Sequence, residues 1–396
     1  MRRPRSARAS TVGVLALGAA LVLSGCGTGT LELRAGSVAP GSSATILITP
    51  APTGKPVAPA SRLVVRADSG RLTAVRVLGP DGVVAGILSV DRRSFVVAGG
   101  SLEYATSYTV EADAVDRAGL PTHTTTTVTT VAPSAYLGFT MSPRDGGTVG
   151  VGMPITLTLD QGLTTTAGKA AFERSLAVRV DDEQVAGAWA WQSDNVVEYR
   201  PEAYWPGHAT ITVVARLKGH RITSTIWGQT DRSLSFSTGA AMVSYVDIQR
   251  HTMRVTRDGQ TVKRIPITTG KDGFTTRSGV KVISNKEPTR LMDASTGGTL
   301  VNDPEYYRLE VEWAMRLTNS GEFIHAAPWS VADQGKENVS HGCTGMSTEN
   351  AKWLYDRSRV GDVVIYTGTK RDMQPWNGIG LWNTPYEEWK TGSAFA

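Results

Sequence analysis

From about residue 44 to residue 132 the chain is written in short runs of Val, Ile, Leu, Ala and Thr, cut by turn signals. Ala44-Thr45-Ile46-Leu47-Ile48, Leu72-Thr73-Ala74-Val75-Arg76-Val77 and Tyr108-Thr109-Val110-Glu111-Ala112 are examples, and Gly79-Pro80-Asp81-Gly82 reads as a turn. β-Branched side chains pack well on a pleated surface, and a period of two gives a strand one wet and one dry face. Helical periodicity is absent. A series of such strands closes its dry faces most simply as a β-sandwich, so 44–132 is expected to be an immunoglobulin-like module.

Residues 133–239 repeat the theme, with Ile155-Thr156-Leu157-Thr158-Leu159 and Thr210-Ile211-Thr212-Val213-Val214 alternating in the same way. Phe95-Val96-Val97 followed by Tyr108-Thr109-Val110 is echoed by Asn195-Val196-Val197 followed by Thr210-Ile211-Thr212-Val213. The echo predicts two related sandwiches in tandem. His123, His208 and His220 have no partners at ligand spacing and read as surface residues.

A different region runs from 241 to 366. It opens with strand-like 243–248 and 252–255, continues with 263–267 and 279–283, and ends in a strand at 362–366. Ser347 is a good N-cap for a helix through Ala351, Leu354 and Tyr355 that is expected to stop near Gly361. The tail, 367–396, carries Trp376, Trp382, Tyr386 and Trp389 among Gly and Pro, and is expected to pack on this third region. The fold class expected is mainly β: two tandem immunoglobulin-like sandwiches, then a β-rich domain with one main helix and a Trp-rich extension.

The N-terminus reads as a signal peptide. Arg2, Arg3, Arg5 and Arg8 precede an apolar stretch from Thr11 to Leu23 that is too short to span a membrane comfortably. It closes in Leu23-Ser24-Gly25-Cys26, a lipobox-like ending that marks 1–25 for removal and Cys26 for lipidation, with 26–43 as a flexible tether. The formal net charge of +5 belongs almost wholly to those four arginines. Without them the chain is close to neutral and offers no basic stripe for nucleic acid.

Cysteine count then narrows the function. There are 2 cysteines, Cys26 and Cys343. Exported proteins usually pair their cysteines, so with Cys26 lipidated, Cys343 is left as a lone thiol in an oxidising compartment. It sits in Ser340-His341-Gly342-Cys343-Thr344-Gly345, downstream of Phe323-Ile324-His325-Ala326-Ala327-Pro328-Trp329. A cysteine nucleophile needs an imidazole to take its proton, and both His325 and His341 are candidates. The amides of Gly342 and Cys343 would suit an oxyanion hole. Two other readings remain open on spacing alone: His325, His341 and Cys343 as three zinc ligands, or a buried structural cysteine.

The block Ser340-His341-Gly342-Cys343 with His325 and Pro328-Trp329 upstream closely resembles the L,D-transpeptidases of mycobacterial and actinobacterial type. The resemblance covers the anchor, both sandwiches, the third region and the Trp-rich tail. It implies a cysteine acyltransferase that attacks the third residue of a peptidoglycan tetrapeptide stem, expels D-alanine and passes the acyl group to an amine of another stem, giving a 3→3 cross-link. It also implies reaction with carbapenem β-lactams, a monomer at the outer face of the plasma membrane, and neither metal nor organic cofactor. By position, Cys343 is then the nucleophile, His325 the base and acid, and His341 a shaper of the site. Tyr307, Ser320, Gly321, Ser340 and Gly345 fall at substrate-holding positions, and Met292 and Trp329 at pocket walls. The chain departs from the family at Ala326, where Ser is common, and at Gly345, where Asn is usual. Competing expectations are an L,D-carboxypeptidase, an enzyme attaching peptidoglycan to another amine, and a non-catalytic wall-binding scaffold.

Overall fold

The computed structural model describes residues 41–100, 102–297 and 299–396; Cys26, the leader and most of the tether lie outside the described residues. The first sandwich pairs a sheet ordered Thr45–Thr49, Val64–Asp68, Ser94–Val97, Gly86–Leu88 with one ordered Gly82–Val83, Gly70–Gly79, Ser107–Asp116, Pro121–Thr129. Alternation does what the sequence implies. Along Ser107–Asp116 every second side chain is buried, and Leu63, Val65, Leu72, Val77, Val110 and Ala112 form the core.

The second sandwich has the same plan. One sheet runs Phe139–Ser142, Ile155–Leu159, Val196–Pro201, Gly187–Trp191. The other runs Glu183–Gln184, Leu176–Val180, Thr210–Ala215, Arg232–Thr238, Thr148–Val149. The echoed segments thus occupy equivalent places, Ser94–Val97 with Val196–Pro201 and Ser107–Asp116 with Thr210–Ala215. One element was not foreseen, the helix Thr166–Arg174. Thr165 caps it by accepting a hydrogen bond from the Gly168 N–H, and it drives Phe172 into the core. The two sandwiches meet at Tyr104, whose hydroxyl donates to the Gly228 carbonyl at 2.6 Å and accepts from the Gly219 N–H at 3.0 Å.

The third region packs two sheets around Val246, Met253, Ile265, Met315, Ile324, Met346, Leu354 and Tyr366. The first is ordered Gln260–Pro266, Thr252–Arg257, Met242–Asp247, Val363–Thr367, Gly279–Val282. The second is ordered Asn285–Asp293, Arg308–Arg316, Phe323–Ala326, Thr344–Met346, and the helix Thr348–Arg357 covers it. Ser347 caps the helix as expected, accepting from the Asn350 N–H. The helix stops at Arg357, short of Gly361, because Ser358 turns to extended backbone and leads Val360 and Gly361 to the second sandwich. There Gly150 and Gly152 donate to the Val360 and Gly361 carbonyls, both at 2.8 Å. A Cβ on Gly150 would fall 2.1 Å from the Asp362 nitrogen, so only glycine admits this approach. Val282 and Val363 consequently join the core of the second sandwich.

The C-terminal extension packs on the third region, Asn383 accepting from the Val280 N–H at 2.7 Å and the Met373 N–H donating to the Ser278 carbonyl at 2.7 Å, and it reaches the second sandwich as well. Trp382 donates to the Gly152 carbonyl at 2.8 Å and Trp389 to the Ala188 carbonyl at 3.0 Å. Arg200 lies over the rings of Trp382, Tyr386 and Trp389 at 5.0 to 5.4 Å and donates to the Thr384 carbonyl. The aromatic residues find a guanidinium there, which stacks on ring faces and is weakly hydrated. Trp376 is no anchor: it is 76% exposed.

Candidate active site

Phe323–Ala326 and Thr344–Met346 pair in parallel, with His325 opposite Gly345. Paired residues share a face and side chains alternate, so Cys343, two residues before Gly345, lies on the face that carries His325. The turn bringing Cys343 there is built on Gly342, at φ +120, where side chains are strained. Ser340 stitches it: its hydroxyl accepts from the Gly342 N–H at 3.1 Å and donates to the Cys343 carbonyl at 2.6 Å. An oxyanion using the Gly342 N–H must therefore displace Ser340 Oγ.

His325 is buried, and its Nδ1 lies 2.7 Å from the Ala326 carbonyl oxygen. A carbonyl only accepts, so Nδ1 carries the proton and Nε2 keeps its lone pair. The backbone does this orienting, and Ala at 326 suffices. Burial holds the imidazole below its ordinary range, with the Ala326 carbonyl pulling the other way. Cys343 is buried too: burial pushes its thiol up to about 11, opposed by the Phe323 backbone. Both groups are thus neutral in the resting protein near pH 7. The thiol also points 3.6 Å from the Gly321 carbonyl oxygen.

Two cavities flank the turn, Cys343 lining the first and Gly342 the second. One, of about 350 Å³, is lined by Met292, Tyr307, His325, Trp329, Ser340 and Cys343 among others, including Gly345. The second, of about 330 Å³, is lined by Phe274, Ser320, Gly321, Glu322, Gly342 and Arg277. Tyr307 and His341 belong to both walls. Every candidate site residue of the third region therefore faces one cavity or the other, or builds the turn between them. Trp329 is 59% exposed and forms the rim, its ring 6.0 Å from that of His325.

His341 is fixed between Phe274 and Tyr307, ring centroids at 4.5 and 4.9 Å. Its Nε2 is 2.7 Å from Glu305, which also accepts from Lys271 at 2.7 Å. These partners hold the Glu305 carboxyl below the usual range, the Lys271 bond first. Sequence reasoning missed Glu305 and Lys271, for they lie 36 and 70 positions from His341 and carry no motif. It missed Asn377 as well, which grips the Ser320 N–H and hydroxyl, each at 2.9 Å, from the C-terminal extension. With His341 given to Glu305 and His325 to Ala326, the three residues of the zinc reading are not gathered as a ligand set. Among the described residues no three His, Cys, Asp or Glu side chains are so gathered.

The buried Gly345 is enclosed on both sides. Besides facing His325, it exchanges two backbone hydrogen bonds of 2.9 Å with Thr268. A Cβ here would come 2.9 Å from the Ala327 Cβ and 3.1 Å from Thr268 Cγ2. The space of a larger residue is filled by neighbours.

Comparison with known proteins follows this geometry. Residues 54–221 match the family described as Bacterial Ig domain, and residues 241–365 match the L,D-transpeptidase catalytic domain. The chain is 33% identical over 334 residues to L,D-transpeptidase 2 of Mycobacterium tuberculosis, covering 84% of this chain and 80% of that protein. It is 32% identical over 354 residues to L,D-transpeptidase 5 of the same species, covering 87% and 76%. A solved structure of an LD transpeptidase in complex with imipenem superposes with a TM-score of 0.50 at 33% identity, covering 59% of this chain and 100% of that one. With relatives of 33% and 32% identity over most of both chains, a match to the catalytic-domain family, and a buried cysteine set just ahead of the strand that pairs with the histidine's, this chain belongs to the L,D-transpeptidase family.

Proposed function

We propose that this protein forms 3→3 cross-links in peptidoglycan through a thioester on Cys343. His325 Nε2 accepts the thiol proton as sulfur attacks the carbonyl of the third residue of a tetrapeptide stem. The tetrahedral oxyanion is received by the Cys343 N–H and by the Gly342 N–H once Ser340 Oγ yields it. His325 then returns the proton to the departing amine of D-alanine, leaving the thioester. In the second half His325 takes a proton from the side-chain amine of another stem as that amine attacks, and the amide forms as the thiol is restored. Because thiol and imidazole both start neutral, proton transfer accompanies attack and no thiolate has to be stored.

The observation that carries this reading is a pair of cavities on the two sides of the Gly342–Cys343 turn, the first lined by Cys343 and the second by Gly342, with Tyr307 and His341 as their shared wall. A transfer between two peptides needs two approaches to one sulfur; hydrolysis needs only one and water. For the same reason transfer is favoured over the L,D-carboxypeptidase alternative. Reaction with carbapenems belongs to the proposal, since a relative of similar structure is seen with imipenem. So do residence at the outer face of the plasma membrane through lipid on Cys26, and action as a monomer.

Intact-mass measurement after incubation with imipenem and, separately, with disaccharide-tetrapeptide tests it. The expected results are an adduct on Cys343, dimers from the tetrapeptide, and neither in Cys343→Ala. Tripeptide without dimer would replace transfer by hydrolysis, and turnover in Cys343→Ala would remove the nucleophile.

A further inference from the structure

The Gly342–Cys343 turn rests on a buried carboxylate. Glu322 is 5% exposed, and its Cγ lies 3.9 Å from where a Cβ on Gly342 would stand. Its chain neighbours touch the sulfur, Gly321 through its carbonyl at 3.6 Å and Phe323 through its backbone. A bare carboxylate in this place would oppose negative charge on the sulfur or on an oxyanion beside it.

Glu322 is not bare. Lys281, 0% exposed on strand Gly279–Val282, donates from Nζ to Glu322 Oε2. Arg277 donates to Oε1 through its backbone N–H at 3.1 Å and through Nη1 at 2.9 Å. Lys281 Nζ also lies 3.7 Å from the centroid of the Tyr366 ring. The cluster grips both flanks of Cys343: Tyr366 OH is 2.7 Å from Thr344 Oγ1, and Thr276, beside Arg277, donates to the Gly342 carbonyl at 2.8 Å. A buried ion pair is a poor source of stability, and apolar residues of similar shape usually serve the fold as well or better. Val280 and Val282 on either side of Lys281 show what the strand otherwise uses.

We infer that Lys281 is a positioning residue for the chemistry of Cys343: its ammonium neutralises Glu322 beneath the Gly342–Cys343 turn and, with Arg277, leaves net positive charge behind the sulfur as it turns anionic. This rests on Cys343 being the nucleophile. The electrostatics agree in sign, Glu322 pushing the thiol up and Lys281 pulling it down. Burial drives the Lys281 ammonium down to about 8, with Glu322 resisting. The positive charge is therefore present near pH 7 and gone a unit or two above 8. The other titratable groups around the sulfur are His325, His341, Tyr307 and Tyr366. Burial displaces His325 downward and both phenols upward, away from this window, and His341 is tied to Glu305.

The test is the pH dependence of Cys343 alkylation by iodoacetamide in the full chain, with the site mapped by mass spectrometry. Thiolate, and so rate, rises about tenfold per pH unit well below the thiol pKa. In the wild type that rise slackens near pH 8 as Lys281 discharges. Lys281→Met loses the bend and reacts about tenfold slower at pH 7, converging on the wild type by about pH 9.5. Lys281→Arg, whose charge does not titrate, also loses the bend yet keeps the wild-type rate at pH 7. Should Lys281→Met not fold, Lys281→Met with Glu322→Met removes both buried charges and must likewise show no bend. A bend that persists in these variants, or a Lys281→Met protein that reacts at the wild-type rate at pH 7, overturns the proposal and leaves the nucleophile standing. A purely structural role would lower thermal stability and leave the bend in place. Failure of Cys343 to react at any pH would remove the nucleophile reading and this proposal with it.

Discussion

Gly345 invites a quantitative test because the structure says what a side chain there would strike. Its backbone is in an ordinary region, so the obstacle is space alone. In Gly345→Ala the new methyl would stand 2.9 Å from Ala327 Cβ and 3.1 Å from Thr268 Cγ2. Overpacking of this kind costs about 1–3 kcal/mol, which for a unit of this size lowers Tm by roughly 2–4 °C per kcal/mol. Gly345→Asn adds a buried amide, costing about 1–3 kcal/mol more where its hydrogen bonds go unmade. Because Gly345 stands between His325 and Thr268, the displacement moves the strand of Cys343 against that of His325, and imipenem acylation slows in both variants. The decisive experiment is a double-mutant cycle by urea unfolding. Ala327→Gly removes the nearer obstacle, so Gly345→Ala should cost about 1 kcal/mol less in its presence. Strict additivity, or a Gly345→Ala protein as stable as the wild type, would refute the packing argument and reopen Gly345 as a lost contact residue.

Asp362 gives a pH test. Burial raises its carboxyl to about 7, its Oδ1 is buried without a partner, and it ionises near the ordinary carboxylate value once unfolded. Between those limits the unfolded chain binds fewer protons, so stability falls as pH rises from about 4 to 7, by up to about 4 kcal/mol. Asp362→Asn should remove that loss, its advantage over the wild type growing between urea titrations at pH 4.5 and 7.5; an equal difference at both sinks the assignment. Glu305→Gln breaks a half-exposed pair and should leave stability nearly unchanged, yet slow acylation by freeing His341, as stopped-flow mixing with imipenem would show. Ala326→Ser should leave the acylation rate within about twofold, since the carbonyl orients His325; a large gain would mean that a side chain is needed.

What could be read from the sequence was local. Alternation in 107–116 and 155–159 is visible within ten residues, and it sufficed for the sandwiches. The echo of Phe95-Val96-Val97 in Asn195-Val196-Val197 pointed to two related sandwiches, and the equivalent strands carry it. Ser347 declared its helix, and Cys343 stood out because it is lone and two residues from a histidine. The hairpin of Asn285–Asp293 and Arg308–Arg316 escaped because both strands are heavily charged. Their arginines act as apolar cover instead, Arg290 and Arg316 lying over the Phe323 ring at 5.1 and 4.6 Å. The helix Thr166–Arg174 escaped for a different reason, being nine residues long with a glycine inside.

The electrostatic surroundings of the site were the least legible part, and the cause is physical. An imidazole two residues from a thiol is fixed by chain geometry. Glu305 beside His341, or Lys281 and Arg277 on Glu322, are pairings across 36 to 45 positions, made only when separate segments of the fold close on one another. Such pairs leave no periodicity, because most of their members stand in loops and the one on a strand does not disturb an alternating pattern. A lysine between valines in Gly279–Val282 looks like any other strand residue, whereas it is fully buried and paired with Glu322. Residue types therefore name the reacting atoms, while the charge those atoms feel is decided by the register of sheets that meet late in the chain. For this protein the consequence is specific: a motif search finds Cys343 and His325 and passes over the lysine beneath them.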